Sequence, residues 1–237
     1  MKTLEELQRI IGYQFSSLSL LREALTHRSY AFEKKEEIPD NQRMEFFGDA
    51  VLEVVASEYL FGRYKNSSEG ELTKMRSAMT RGDALFELAQ SFELDEFMFL
   101  GKGERQLKGK NQETRVIDAF EALLAAIYMD GGIQPVKDFY LSLAKKCWSN
   151  PYELMLKQNP KGSLQELTQK YYSERPEYDL VEVRGQEHDP EFEVQVKLKD
   201  EKIGSGVAGS RRKAEEHAAK AGIEYLVAKR NDLGKSL

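Results

Sequence analysis

The spacing of apolar residues predicts that the first part of the chain is helical. Up to residue 146, apolar residues recur every three or four positions, which is the period of one face of a helix. No alternating strand pattern of any length occurs before residue 150. An all-α first domain is therefore predicted. Its helices are expected at 3–12, 19–27, 41–64, 83–92, 113–129 and 136–146, with one more after a capping-box pattern at Ser68 and Glu71.

The pattern changes after residue 160. A helix over 163–172 is followed by three strand-like segments at 178–183, 191–199 and 202–208, and a last helix is predicted from Ser210 to about Ala228. The clearest strand alternates, with Phe192, Val194, Val196 and Leu198 on one side. This order, α-β-β-β-α, predicts a small α+β domain.

Two sequence breaks divide these parts. Asn150-Pro151 and Asn159-Pro160 interrupt the helical pattern. We therefore predict a multi-domain chain: an all-α domain over 1–150, a linker over 151–160 and the α+β domain over 161–230. The charged segment 31–40, which ends in Pro39-Asp40, is predicted to be a connection.

Composition narrows the possible classes. The net charge of −5 argues against nucleic acid globally, but a local basic patch can still bind phosphates. The single Cys147 excludes a disulfide within the chain, and one Cys with three His makes a four-ligand zinc site implausible. No apolar run approaches the ~20 residues of a membrane span, and the N-terminus lacks the apolar core of a secretory signal. A cytoplasmic protein is the expectation.

Two pairs of carboxylates interrupt strongly apolar helices. Glu45 and Asp49 are four residues apart, so they share one helix face. Asp118 and Glu121 are three apart on another apolar helix. Each pair alone could belong to a solvated face. Together they suggest an all-oxygen metal site, which suits Mg²⁺ or Mn²⁺ better than Zn²⁺.

Basic residues occur in two further places. The glycine-rich loop 101–110 carries four cations and one anion shortly before Asp118, so it could reach phosphates, or it could be an ordinary solvated loop. Arg211-Arg212-Lys213 lie in the first turn of the last helix, where the helix dipole disfavours cations. A phosphate backbone would explain that placement. His27 could belong to a site, although a packed helix-end histidine is the simpler interpretation.

These stretches resemble a known family. Residues Asn41 to Leu52 look like the signature of ribonuclease III, Glu23 to Ser29 resemble its N-terminal motif, and Asp118 to Leu123 resemble its second acidic motif. Residues 161–228 are similar to a double-stranded RNA-binding domain. Together the resemblance covers nearly the whole chain.

The resemblance implies a Mg²⁺-dependent endoribonuclease, with Mn²⁺ able to substitute, that cleaves double-stranded RNA in rRNA, mRNA and small-RNA processing. It implies 5′-phosphate and 3′-hydroxyl ends with short 3′ overhangs, and a homodimer in which Phe46 and Phe47 are candidate contacts unless they are ordinary core. Asp49 and Glu121 match the most critical acids, Glu45 and Asp118 match the other metal ligands, and Glu69 matches an accessory acid near the cleft.

The RNA-binding residues are also carried over from the resemblance. The minor grooves of the duplex would be contacted by Gln165, Glu166 and His188. The intervening phosphates would be contacted by Arg211, Arg212 and Lys213. One position departs from the family, because Gln42 stands where a Glu is common. This puts a metal role at that position in doubt and leaves the four carboxylates intact.

Two functions from other classes compete with this interpretation. A non-catalytic RNA chaperone would use residues 161–228 alone, and the intact carboxylates speak against it. An all-α nucleoside-triphosphate pyrophosphatase would also hold Mg²⁺ on helices, and the RNA-binding segment speaks against that.

Overall fold

A computed structural model describes residues 2–34, 38–186 and 189–229. The chain divides between Ser149 and Asn150 into two compact units. The first unit is helical, as predicted, and its only β pairing in the described residues is a single bridge between Thr26 and Phe99. Its helices are α1 Leu4–Ile11, α2 Leu18–Ala24, α3 Arg28–Lys34, α4 Gln42–Arg63, α5 Glu69–Thr80, α6 Gly82–Gln90, α7 Lys110–Gly131 and α8 Ile133–Cys147.

Helices α4 and α7 form the centre of the first unit. Val51, Leu52 and Val55 of α4 are buried, as is the whole run from Ala122 to Ile127 of α7. The two helices are in close backbone contact at Gly48, where a Cβ atom would lie 1.9 Å from the backbone oxygen of Glu121. Only a residue without a side chain fits there, so the glycine sets the distance between the two helices.

Two local predictions have clear outcomes. The capping box at the start of α5 is present, because the Glu71 backbone N–H donates to Ser68 Oγ (3.3 Å) and the Ser68 backbone N–H donates to Glu71 Oε2 (2.9 Å). By contrast, α3 reaches to Lys34 inside the segment predicted to be a charged connection. This helix buries none of its residues, so it leaves no apolar period in the sequence.

The second unit has the predicted α-β-β-β-α order. Its elements are α9 Pro151–Gln158, α10 Pro160–Tyr172, β1 Glu177–Gln186, β2 Asp189–Leu198, β3 Glu201–Ala208 and α11 Arg211–Lys229. The three strands form an antiparallel sheet in the order β1-β2-β3. Leu164, Val194, Val196 and Ile223 lie in the core, where α10 and α11 cover one face of the sheet.

Two glycines of β3 let α11 approach the sheet. Gly206 pairs with Val194 and Gly204 with Val196, so both face the helices. A Cβ atom at either position would lie within 2.6 Å of the backbone of α11. The N-terminus of α11, with its three cations, is therefore fixed closely against the sheet.

The segment 151–160, predicted as a linker, is largely helical. Asn150 Oδ1 accepts the Glu153 backbone N–H (2.8 Å), and Pro151 opens α9. Leu156 is buried in the core of the second unit. Each Asn-Pro pair separates two helices and also begins the second of them, since α9 starts at Pro151 and α10 at Pro160.

No helix within the described ranges combines the length and the apolar character that crossing a membrane requires.

Candidate functional site

The four predicted carboxylates come from the contact between α4 and α7. Glu45 and Asp49 lie one helical turn apart on either side of Gly48, and Asp118 and Glu121 lie one turn apart on α7. Because Gly48 rests on the Glu121 backbone, both pairs are held at the same crossing of the two helices. All four carry side chains that are at least partly solvent-accessible.

The electrostatics show that the four groups act on one another. Burial, together with the negative charges of Asp49, Asp118 and Glu45, raises the pKa of Glu121 to about 8. The pKa of Asp118 is raised to about 6, mainly by burial and also by the charge of Glu45, while the charge of Arg28 opposes the shift. The pKa of Glu45 rises through burial and the nearby Asp49.

This donor set fits a hard divalent cation. Four carboxylates provide only oxygen ligands, the kind that Mg²⁺ and Mn²⁺ prefer. The raised pKa values show that negative charge is uncompensated at this crossing, and a cation would remove that penalty. In the part of the chain that the structure describes, however, no three acidic, His or Cys side chains already converge as metal ligands would. Ligation therefore requires these side chains to turn toward one another.

Glu69 lies apart from the four carboxylates. It lines a cleft of about 720 Å³ between α4 and α5, to which none of the four contributes. Its Oε1 accepts a hydrogen bond from Thr73 Oγ1 (3.1 Å) on the next turn of α5. Gln42, at the start of α4, is exposed, and its backbone N–H donates to Asp40 Oδ1 (3.2 Å).

The basic loop 101–110 is anchored to α7 by a residue that the sequence analysis did not single out. Arg115 is 3 % exposed, and its guanidinium donates to the backbone oxygens of Glu104 (3.2 Å) and Leu107 (3.1 Å) and to Glu104 Oε1 (3.3 Å). The side chains of Lys102, Arg105, Lys108 and Lys110 are exposed. A lone arginine in a helical pattern carries no sequence signal of such a role.

The predicted aromatic contacts differ in exposure. Phe46 is 80 % exposed on α4, whereas Phe47 is 37 % exposed and packs edge-on against Tyr128 of α7, with ring centroids 5.4 Å apart. Phe46 can therefore contact another molecule, whereas part of the Phe47 ring is already packed against Tyr128 of the same chain.

The predicted RNA-binding residues lie on exposed positions of the second unit. Gln165 and Glu166 are exposed on α10, and Arg211, Arg212 and Lys213 are exposed in the first turn of α11. Arg211 pairs with Glu215 (3.1 Å), and Arg212 pairs with Glu216 (3.2 Å). His188 lies outside the described residues.

Comparison with known proteins agrees with both units. The family model "Ribonuclease-III-like" matches residues 17–146, and "Double-stranded RNA binding motif" matches 160–226. The chain is 40 % identical over 222 residues to Ribonuclease 3 of Oleidesulfovibrio alaskensis, covering 94 % of this chain and 97 % of that one. It is 41 % identical to Ribonuclease 3 of Clostridium tetani, with 94 % of both chains covered.

The chain belongs to the ribonuclease III family. A solved structure of the nuclease domain of ribonuclease III from Campylobacter jejuni, described for flexibility in its dimer-forming region, matches with a TM-score of 0.58 and 33 % identity. It covers 62 % of this chain and all of that one. The predicted family and fold class are thus confirmed.

Proposed function

We propose that this ribonuclease III hydrolyses phosphodiester bonds in double-stranded RNA with Mg²⁺ as cofactor. The observation that carries the proposal is the placement of two carboxylate pairs at the Gly48 contact of α4 and α7, in a chain that also has a double-stranded RNA-binding motif. Glu45, Asp49, Asp118 and Glu121 hold the cation, and Mn²⁺ can replace it. A bound divalent cation lowers the pKa of a water and stabilises the charge that develops at the phosphate.

The chain's own residues bind and orient the RNA. Arg211, Arg212 and Lys213 neutralise phosphates of the duplex, while Gln165 and Glu166, exposed on α10, contact its minor groove. The cations of loop 101–110, anchored by Arg115, add contacts on the nuclease unit. The products carry 5′-phosphate and 3′-hydroxyl ends with short 3′ overhangs.

We infer that two copies form the working enzyme. Phe46 projects from α4, and the α4–α5 cleft on the same helix is lined by Val54, Leu60, Phe61 and Leu72. A two-fold arrangement lets each Phe46 enter the cleft of the other copy, because an isologous interface pairs two such features reciprocally. Two subunits then present two sites, one for each strand. The C. jejuni nuclease domain supports this assembly through its dimer-forming region.

Cleavage of an end-labelled RNA duplex of a few helical turns tests the proposal. The wild type should cut in Mg²⁺, and an Asp49→Asn/Glu121→Gln double variant should bind the duplex without cutting it. Glu113→Gln, which removes an exposed carboxylate from the same helix α7, is the matched control and should cut normally. Binding by the wild type without cutting in any divalent cation would leave a duplex-binding regulator instead.

A further inference from the structure

An exposed arginine lies close enough to Asp118 to influence its pKa, and it has no ion-pair partner among the described residues. The positive charge of Arg28 lowers the pKa of Asp118. Within the described ranges, however, no carboxylate lies within 4.0 Å of the Arg28 guanidinium. Arginine presents a fork of N–H donors that matches a phosphate, and an unpaired fork next to an acidic site is available for such a ligand.

The backbone just before Arg28 is held by hydrogen bonds to two other segments of the chain. On one side, the Phe99 N–H donates to the Leu25 oxygen (2.8 Å) and the His27 N–H donates to the Phe99 oxygen (3.0 Å). On the other side, the Asn41 N–H, at the start of α4, donates to the Thr26 oxygen (2.9 Å). The position of Arg28 is therefore tied to the helix that carries Glu45 and Asp49.

His27 and Ser29, which flank Arg28, form a closed set of hydrogen bonds. His27 Nδ1 accepts the Ser29 backbone N–H (3.3 Å), so this nitrogen carries no proton. The Ser29 hydroxyl, 2.8 Å away, therefore also donates to it. Ser29 Oγ in turn accepts the Gly101 backbone N–H (3.0 Å). These bonds connect the segment that carries Arg28 to the first residue of loop 101–110.

Arg28 also opens onto a cleft. The α3 cleft, of about 630 Å³, is lined by His27, Arg28, Phe32, Glu33, Asp40 and Glu104, among others. Its acids already accept bonds: Glu33 from the Lys102 N–H (2.7 Å), Asp40 from the Gln42 N–H and Glu104 from Arg115. Three carboxylates line this cleft and repel an anion, so a phosphate is expected at its Arg28 side and not deep inside it.

We propose that Arg28 binds a phosphate of the RNA strand at or next to the scissile bond. This proposal rests on the proposed function, since it assumes that the strand passes over the carboxylates. Arg28 then serves as a fixed cation of the nuclease unit, separate from the cations of loop 101–110 and α11.

The test compares Arg28→Gln and Arg28→Lys with Arg9→Gln, which removes an exposed arginine from α1. Duplex affinity is measured against salt concentration with Ca²⁺ in place of Mg²⁺, and single-turnover cleavage is measured with Mg²⁺. We expect Arg28→Gln to reduce the slope of log affinity against log salt by about one unit and to slow cleavage about 10- to 100-fold. Arg28→Lys should keep most of the slope, and Arg9→Gln should match the wild type.

Two results would overturn the proposal. One is a slope and a cleavage rate in Arg28→Gln equal to those of Arg9→Gln. The other is an Arg28→Lys variant as impaired as Arg28→Gln with a lowered Tm, since that would assign Arg28 a structural role. If the wild type binds without cutting, the proposed function fails, while the salt slopes still decide whether Arg28 binds phosphate.

Discussion

At the residue scale, Glu121 is where burial and charge conflict most. Its pKa of about 8 means that the folded protein holds a proton that the unfolded chain releases near pH 4.5. Without a cation, the folded state therefore loses stability as pH rises from about 4.5 to above 8. The stability conferred by neutral Glu121 is fully present at low pH.

The pH dependence of unfolding checks this. In metal-free buffer, we expect Glu121→Gln to have a Tm a few degrees above that of the wild type at pH 9, since ~1 kcal/mol corresponds to about 2–4 °C in a chain of this size. At about pH 3 the two should be equal, because Glu121 is then protonated in both the folded and the unfolded state. Glu113→Gln should show no such divergence, and a wild type as stable as Glu121→Gln at pH 9 would contradict the buried-charge account.

At the element scale, the contact between α4 and α7 depends on one glycine. Gly48→Ala places a methyl group against the Glu121 backbone. We expect a loss of about 1–3 kcal/mol in the free energy of unfolding, as for other overpacked sites, together with slower cleavage because the carboxylate pairs separate. Denaturant melts and cleavage rates measure the two effects.

The same helix offers the matched control. Gly62 has no atom within 4 Å of a Cβ position, so Gly62→Ala should leave cleavage unchanged and stabilise the helix by about 0.5–1 kcal/mol. If both variants behave alike, the helix contact is not what makes Gly48 necessary.

The anchoring of loop 101–110 gives a second prediction at this scale. Arg115→Met leaves the Glu104 and Leu107 backbone oxygens without their donor, which should reduce stability by about 1–3 kcal/mol. Trypsin should then cut faster at Arg105 and Lys108. Arg81→Met, which removes an exposed ion pair with Asp83, should change stability by less than about 1 kcal/mol and leave the loop protected.

The sequence correctly predicted those helices and strands whose buried residues recur at a regular spacing. The long helices, the capping box at Ser68 and the three strands follow from apolar spacing and local hydrogen-bond chemistry. Helix α3 could not be predicted because it buries no residue, and α9 could not because Asn150-Pro151 reads equally as an interruption or a beginning.

The sequence also indicated the four carboxylates, but not what brings them together. Their spacing placed two on each helix, while the crossing at Gly48 depends on contacts between residues more than 70 positions apart. The roles of Arg115 and of the bonds around Arg28 are likewise long-range. No local pattern encodes them.

At the scale of the whole molecule, the exposed Phe46 predicts the oligomeric state. Phe46→Asp should place a charge in the opposing apolar cleft and shift the protein to monomers, with dimer affinity lower by at least about tenfold. Sedimentation measures this directly. Phe32→Asp is the matched control, because Phe32 is 89 % exposed on α3 and lies outside the α4–α5 cleft. A dimer equally stable in both variants would exclude Phe46 from the interface.

The helix separation set by Gly48 also bears on the choice of ion. Mg²⁺ binds oxygen at about 2.0–2.1 Å and Ca²⁺ at about 2.3–2.6 Å, with more ligands. The distance between the two helices that carry the carboxylates cannot change freely. These carboxylates should therefore accommodate one ionic radius better than another. In the proposed metal site, the backbone contact between the two helices would therefore help to set the size of the cation that binds, and a residue with no side chain would contribute to metal selectivity.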